Sequence, residues 1–248
     1  MKKLLFLFSA LFFIFSAKIN AQKVYSTTSG EMIFSSGTLE FTDAFKSQNP
    51  QAQISDTPVR FTTFYHVTQL WHLDFGENIG MYTGLGIRNV GMISNEMLNT
   101  GASGMEAVQP YKIIRRLYTG GIPLAMKLGA FDQNLYVYGG GEIEFGIHYK
   151  EKYWNSHDRS GSKTKTKAWF ASQTNNILPS VFAGVQLPGG ANVKFRYYLT
   201  DFLNHNYTDT NPVSDLTRYK SSQLWYVSLS WNINTAYLTK GEGSLATR

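Results

Sequence analysis

Apolar and polar positions alternate along most of this chain. In Leu135–Lys150 the odd positions are Leu, Val, Gly, Gly, Ile, Phe, Ile and Tyr, while the even positions carry Glu142, Glu144, His148 and Lys150. A period of two belongs to a strand, whose successive side chains point to opposite faces. At about 3.3 Å per residue the stretch spans about 50 Å, well past an ordinary soluble strand. Seven more segments read the same way: Val24–Leu39, Val59–Phe75, Asn78–Ile93, Tyr111–Gly129, Ile177–Leu187, Ala191–Thr200 and Gln223–Asn234. Short turns at Phe75–Asn78, Phe131–Asn134 and Pro188–Gly190 alternate strictly with long polar segments at Glu40–Pro58, Asn95–Pro110, Asn155–Asn176 and Asn204–Ser222. The pattern predicts an all-β fold, an antiparallel eight-stranded up-and-down transmembrane β-barrel with lipid outside and a polar lumen. A soluble lipocalin-like barrel would bury its apolar face and expose its charges; the long strands and broad apolar faces favour the membrane form.

Three residues strain that pattern. Gln69 interrupts an apolar face. Pro123 and Pro179 fall inside strands of a closed barrel, which offers them no free edge. Gly120-Gly121 predicts a bulge or kink beside Pro123, and Pro179 is expected above the bilayer.

Residues 1–21 read as a secretory signal peptide: Lys2 and Lys3, the apolar run Leu4–Ala17, and Ile19-Asn20-Ala21 before Gln22. The run is short of the roughly 20 residues of a membrane helix, and Gln22 in place of Cys argues against a lipid-anchored product. Residues 22–234 form the barrel and 235–248 a polar tail. A mean hydropathy of -0.23 conceals half-apolar strands. The chain has no Cys, so no disulfide supports the fold. Its formal charge of +6 falls to +3 (6 − 3) without Lys2, Lys3 and Lys18, too mild to argue for nucleic acid, and no nucleic-acid partner is expected.

The signal ending Asn20-Ala21-Gln22, the segment Ile122–Leu128 followed by Leu135–Gly141, the paired strands Val181–Leu187 and Val193–Leu199, and the aromatic-rich closing strand carry a resemblance. From Val24 to Asn234 the chain resembles the small outer-membrane β-barrel proteins of Gram-negative bacteria, a group that includes OmpX-type, OmpA-type and PorT-like barrels. The resemblance implies an outer-membrane monomer in contact with lipid and lipopolysaccharide, inserted by the barrel-assembly machinery, with no cofactor. It implies a structural or partner-binding role, and its PorT-like side implies participation in secretion. Such barrels often end on an aromatic residue of the last strand; here Thr235–Arg248 continues as a tail.

The inward charges are Glu142, Glu144, Arg88, His66 and Arg196 near mid-barrel, with Asp74, His72, Lys127 and Lys194 nearer the short-turn end; Arg115 in Tyr111–Gly129 also reads as inward. Eight strands leave a lumen just wide enough to be filled by side chains, and buried charges must pair, so these residues are expected to form a charge network that fills the lumen. His66-Val67-Thr68 is faintly similar to the His-x-Ser of outer-membrane lipid deacylases, which would make the protein a lipid-modifying enzyme. That chemistry needs a lipid-facing nucleophile, whereas His66 and Thr68 read as lumen-facing, so no enzyme is expected. His66 and His72 lie about 20 Å apart on a strand, too far to share a metal, and the glycine runs lack the strand-to-helix context of a nucleotide loop. In Asn155–Asn176, Lys163, Lys165, Lys167 and Trp169 share a parity that continues into Ile177, Val181 and Val185. They read either as a solvated loop or as an outer strip meeting lipopolysaccharide phosphates.

Overall fold

The computed structural model describes residues 23–63, 66–99 and 108–237. The segment read as a signal peptide and the tail from 238 lie outside the described residues. In chain order the elements are β1 (Lys23–Phe41), the short helix α1 (Asp43–Gln48), β2 (Gln53–Asp56), β3 (Arg60–Thr62), β4 (Val67–Asp74), β5 (Ile79–Asn99), β6 (Val108–Ala130), β7 (Leu135–Trp154), β8 (Lys163–Trp169), β9 (Ile177–Gln186), β10 (Ala191–Tyr198) and β11 (Tyr219–Tyr237). β1, β4, β5, β6, β7, β9, β10 and β11 pair antiparallel in that order, and β11 closes the ring on β1. The fold is an eight-stranded up-and-down transmembrane β-barrel. Closure pairs every barrel strand on both sides, which is what a sheet in hydrocarbon requires.

Alternation sorts the side chains. Ile79, Leu85 and Ile87 on β5, Ile122–Leu128 on alternate positions of β6, and Val137, Ile143 and Phe145 on β7 stand exposed on the outer wall. This apolar belt runs over Ile79–Ile87 and Leu135–Phe145, and 9–11 tilted residues suffice to cross the hydrocarbon. β5, β6 and β7 continue beyond it, and at the two ends of the stretch 95–110, read as a loop, Asn95–Asn99 and Val108–Pro110 are strand.

Val59–Phe75, expected as one strand, is two. β3 and β4 both pair with β1, but Thr62 faces Ile33 while Val67 faces Gly30, so the second strand uses two more residues than β1 does. An even insertion keeps the parity, and Phe61 and Val67 stay exposed while His66 and Thr68 stay buried. Gln69 finds partners on the outer wall in Thr28 and, at 3.5 Å, Thr235.

The prolines are accommodated without a free edge. Opposite Pro123 the β5–β6 ladder skips Gly84 and Leu85, and the Thr83 hydroxyl donates to the Pro123 carbonyl at 2.8 Å. Pro179 sits beside Ile143, inside the belt and not above it; its carbonyl accepts from the Leu199 N–H at 2.8 Å. The bulge expected at Gly120-Gly121 lies on the neighbouring strand. Tyr118 pairs with His148 and Thr119 with Gly146, leaving Ile147 as the extra residue. One extra residue reverses the pleat. Above it Tyr149 and Glu151 turn inward and are buried, and His148 and Lys150, expected in the lumen, face outward.

β8 continues the line of β9, since both pair with the same edge of β7, at Glu151 and below Phe145 respectively. The run Lys163–Val185 is therefore one strand direction, interrupted by an excursion over 170–176 in which Phe170 has φ 48° and Thr174 bridges to Leu203.

Candidate functional site: a filled lumen and a cationic outer wall

The lumen is packed in layers. Near the short turns, Tyr82, Tyr136, Tyr138 and Phe182 form an aromatic cluster, beside which Lys127 pairs with Asp74 at 2.5 Å and donates to the Tyr25 hydroxyl at 2.8 Å. At mid-barrel Arg88 and Arg196 each reach both Glu142 and Glu144. Gly121 makes room for this: a Cβ there would fall 2.1 Å from Glu142 Oε1. Glu31, whose parity opposes that of Met32 and Phe34 but which was not counted among the network residues, completes the layer, 2.6 Å from Lys194 and 3.5 Å from Arg88. β1 is the least regular of the strands, since polar residues such as Thr28 stand on its outer face as well, so its one inward carboxylate did not stand out. Lys194, expected with Asp74 and Lys127, joins the central layer because its long stem reaches Glu31. Three cations thus face three carboxylates, with Thr119 and Tyr198 donating to Glu144 at 2.9 and 3.0 Å.

An apolar layer including Ile33, Val90, Leu117 and Tyr149 follows. Above the belt stands a second charged layer. Arg115 lies 3.1 Å from Glu151 and 3.5 Å from Glu96, and Arg218 lies 3.4 Å from Glu96. Burial favours the neutral form of Glu96, but Arg218 and Arg115 outweigh it and hold the carboxyl below its ordinary value. Glu96 fell in a stretch read as a loop and Glu151 behind the bulge, so only Arg115 was read as inward. The segment 199–218, read largely as a polar loop, caps this layer: Phe202, Leu203 and Leu216 are buried in the same core, and the Ser214 hydroxyl donates to Glu151 at 2.7 Å. Beside the central layer remains a cavity of about 20 Å³, room for about one water.

The residues of the deacylase-like reading do not form a relay. His66 Nδ1 lies 2.9 Å from the Glu31 carbonyl oxygen, and Thr68 donates at 3.5 Å to Glu31 Oε1. His72 Nε2 contacts the Thr27 hydroxyl at 2.9 Å, but no carboxylate orients its other nitrogen. Among the described residues no group of His, Asp and Glu is placed to hold a metal ion.

The outer wall above the belt is a different surface. Cross-strand partners share a face, so the registers of β5 to β8 define four outward rows. The lowest is Asn89, Tyr118, His148 and Trp169. Above it stand Gly91, Arg116, Lys150 and Lys167, then Ile93, Ile114, Lys152 and Lys165, then Asn95, Lys112, Trp154 and Lys163. Seven of these positions are cations and none is a carboxylate. The bulge at Ile147 creates the array, because it moves Lys150 and Lys152 from the inner to the outer parity. Partial burial and crowding by Arg116, Lys163, Lys165 and Lys150 push the Lys152 pKa down. Aromatic side chains sit among the cations: Lys150 lies 4.7 Å from the Tyr118 ring, Lys163 lies 5.2 Å from the Trp154 ring, and Trp169 packs on His148 at 4.5 Å. Behind this wall Arg60, on the inner face beside Ser35, donates to the Asn89 carbonyl at 3.1 Å and to its side-chain oxygen at 2.7 Å. Burial and the neighbouring Arg116 together press the Arg60 pKa down to about 10.

No protein-family model matches this chain, and no curated protein matches it either. Among solved structures it is similar to Ail, the attachment invasion locus protein of Yersinia pestis, at 8% identity and a TM-score of 0.34, covering 85% of this chain and 99% of that one. Ail in complex with the heparin analogue sucrose octasulfate gives 9% identity and a TM-score of 0.33 over 86% and 100% of the two chains. The outer membrane protein OprG from Pseudomonas aeruginosa gives 10% identity and a TM-score of 0.31 over 87% and 95%.

Proposed function

We propose that the protein is a closed outer-membrane barrel whose outer wall holds the anionic headgroups of lipopolysaccharide against the membrane surface. The observation that carries this reading is the cationic array: Lys112, Arg116, Lys150, Lys152, Lys163, Lys165 and Lys167 without one carboxylate, starting one row above the apolar belt. In outer-membrane barrels the short turns face the periplasm and the long connections face outward. That orientation sets the array at the level of the outer leaflet's phosphates, with Tyr118, His148 and Trp169 at the interface, where aromatic side chains gather. Each basic residue near an anionic surface contributes about 1 kcal/mol. Seven cations held on rigid strands at strand spacing form a surface complementary to a polyanion. In this role the barrel is a monomer delivered by the assembly machinery, acts as a structural or partner-binding element and not as an enzyme, and needs no cofactor.

The test is thermal stability of the purified barrel with and without added lipopolysaccharide, for the wild type and for the variant K163Q/K165Q/K167Q. The wild type is expected to gain more than the variant. Equal gains would reduce the lysines to a solvated face.

A further inference from the structure

One residue breaks the alternation that governs the outer wall. Trp169 faces outward, packed on His148, so strand geometry would turn Phe170 inward. Phe170 instead has φ 48° and stands 74% exposed, next to Trp169 at 69%. Consecutive side chains of a regular strand point to opposite faces; the left-handed backbone swings the second ring out beside the first. That conformation is an outlier for a bulky residue, and a phenyl ring standing in water gains nothing to offset it. The interior is filled without the ring: Ala171 is buried in the core and Ala168 packs against it.

The neighbours fix where the ring stands. Phe170 is at the neck of the excursion over 170–176. Its N–H donates to the Ile147 carbonyl at 2.9 Å, and at the other side of the neck the Gly146 N–H donates to the Asn176 carbonyl at 3.0 Å. The segment between them docks on the cap: Gln173 donates to the Tyr207 hydroxyl at 3.0 Å, Asn175 donates to the Asp201 carbonyl at 2.6 Å, and Thr174 bridges to Leu203. Phe170 is the one exposed apolar residue of the excursion. Along the chain it lies between the lowest row of the wall, where Trp169 pairs with His148, and the top of the apolar belt, where Ile177 pairs with Phe145 and both are exposed. The two rings thus continue the belt upward, and the cations begin one row above Trp169 with Lys167 and Lys150.

We infer that Phe170 and Trp169 form a two-ring anchor lying in the boundary between the headgroups and the acyl chains of the outer leaflet. Their continuity with the lipid-facing belt makes membrane lipid the occupant. Aromatic rings are favoured at this boundary, and apolar area placed there is removed from water. The anchor fixes the depth at which Lys150 and Lys167 clear the hydrocarbon, and it holds the neck of the excursion at the membrane surface. It goes beyond the lipopolysaccharide reading and does not depend on the lysines, because any bilayer offers the same boundary.

The experiment uses the full-length barrel refolded into phosphatidylcholine vesicles. The chain has no Cys, so Phe170→Cys, Val137→Cys in the belt and Ser162→Cys above β8 each carry a single nitroxide label. Collisions with membrane-dissolved oxygen and with a water-soluble nickel chelate report the depth of each label. Position 170 is expected to be shielded from the chelate as position 137 is, and position 162 to be open to it. Urea unfolding from the same vesicles then compares the wild type, Phe170→Gly and Phe170→Trp, with migration on unboiled gels verifying folding. Glycine adopts positive φ freely, so an idle ring predicts that Phe170→Gly raises the midpoint. The anchor predicts a lower midpoint for Phe170→Gly and an unchanged one for Phe170→Trp. Chelate access at position 170 equal to that at 162, or a Phe170→Gly midpoint at or above that of the wild type, would overturn the anchor and leave the ring in water or for a protein partner. Should Phe170→Gly not refold, the labelled variants decide alone. Vesicles without net charge keep the lysine wall out of both measurements, so failure of the anchor and failure of the wall are read separately.

Discussion

At the scale of single residues, the barrel is governed by charge balance in a confined space. Glu142 and Glu144 each serve two arginines, so neither is replaceable without leaving a buried cation short of a partner. The double variant E142Q/E144Q is expected to lose about 3–5 kcal/mol, the scale of a broken buried ion pair, read as a lower midpoint of chemical unfolding in detergent. An unchanged midpoint would mean that the cavity beside them already hydrates these groups. The outer layer adds a pH dependence. Glu96 is held below its ordinary pKa of 4.5 by Arg218 and Arg115. A depressed carboxyl contributes stability above its unfolded pKa and loses it as pH falls through the folded value. Stability is therefore expected to be level above about pH 5 and to fall below it, and Glu96→Gln is expected to flatten part of that fall. An acid profile identical in the two proteins would show that Glu96 does not drive it.

At the scale of elements, one residue of β7 decides which side chains meet water and lipid and which meet the core. Ile147 is the unpaired residue of a bulge between His148 and Gly146. Without it, Tyr149 and Glu151 would point outward and Lys150 and Lys152 would enter a lumen that already holds Arg115. Deleting Ile147 is expected to abolish the heat-modifiable, compact form on gels, or to lower its stability by several kcal/mol through loss of the Glu151–Arg115 pair. A deletion variant as stable as the wild type would mean that β7 slips to recover the register elsewhere. β8 illustrates the same rule. Its lysines share the face of Ile177 and Val181 only because the excursion over 170–176 restores the parity that the bulge in its partner changes.

For the whole molecule, the layers act together as a plug. The 3:3 charged layer, the apolar layer, the outer charged layer and the cap from Phe202 to Leu216 follow one another along the barrel, and the cavity beside the central layer has room for about one water. Planar bilayers containing the protein are expected to show no steady conductance, and steady openings would contradict a filled lumen. The closed ring leaves no frayed barrel edge, so the unboiled protein is expected to migrate as a compact species on gels. Recovery as a soluble, protease-sensitive protein would contradict the membrane barrel itself.

The sequence by itself determined the ring. Alternation at Val137, Ile143 and Phe145 against Glu142 and Glu144, repeated in eight segments with alternating short and long connections, admits few other folds, because a period of two assigns each residue to a face without reference to its neighbours. It also placed Arg88, Arg115 and Arg196 inside and Lys163, Lys165, Lys167 and Trp169 on one face. Tertiary structure decided everything that depends on how one strand is set against the next. Glu31 meets Lys194 across 163 residues of chain. Glu96 and Glu151 meet Arg115 only because β5 and β7 extend past the belt and β7 bulges. Lys150 and Lys152 join the outer wall for the same reason, and Arg60 reaches Asn89 because β3 leaves the line of β4. Parity is local and survives in the sequence; register, bulge position and strand length are set by pairing between strands, and the charge layers and the cationic wall are consequences of that pairing.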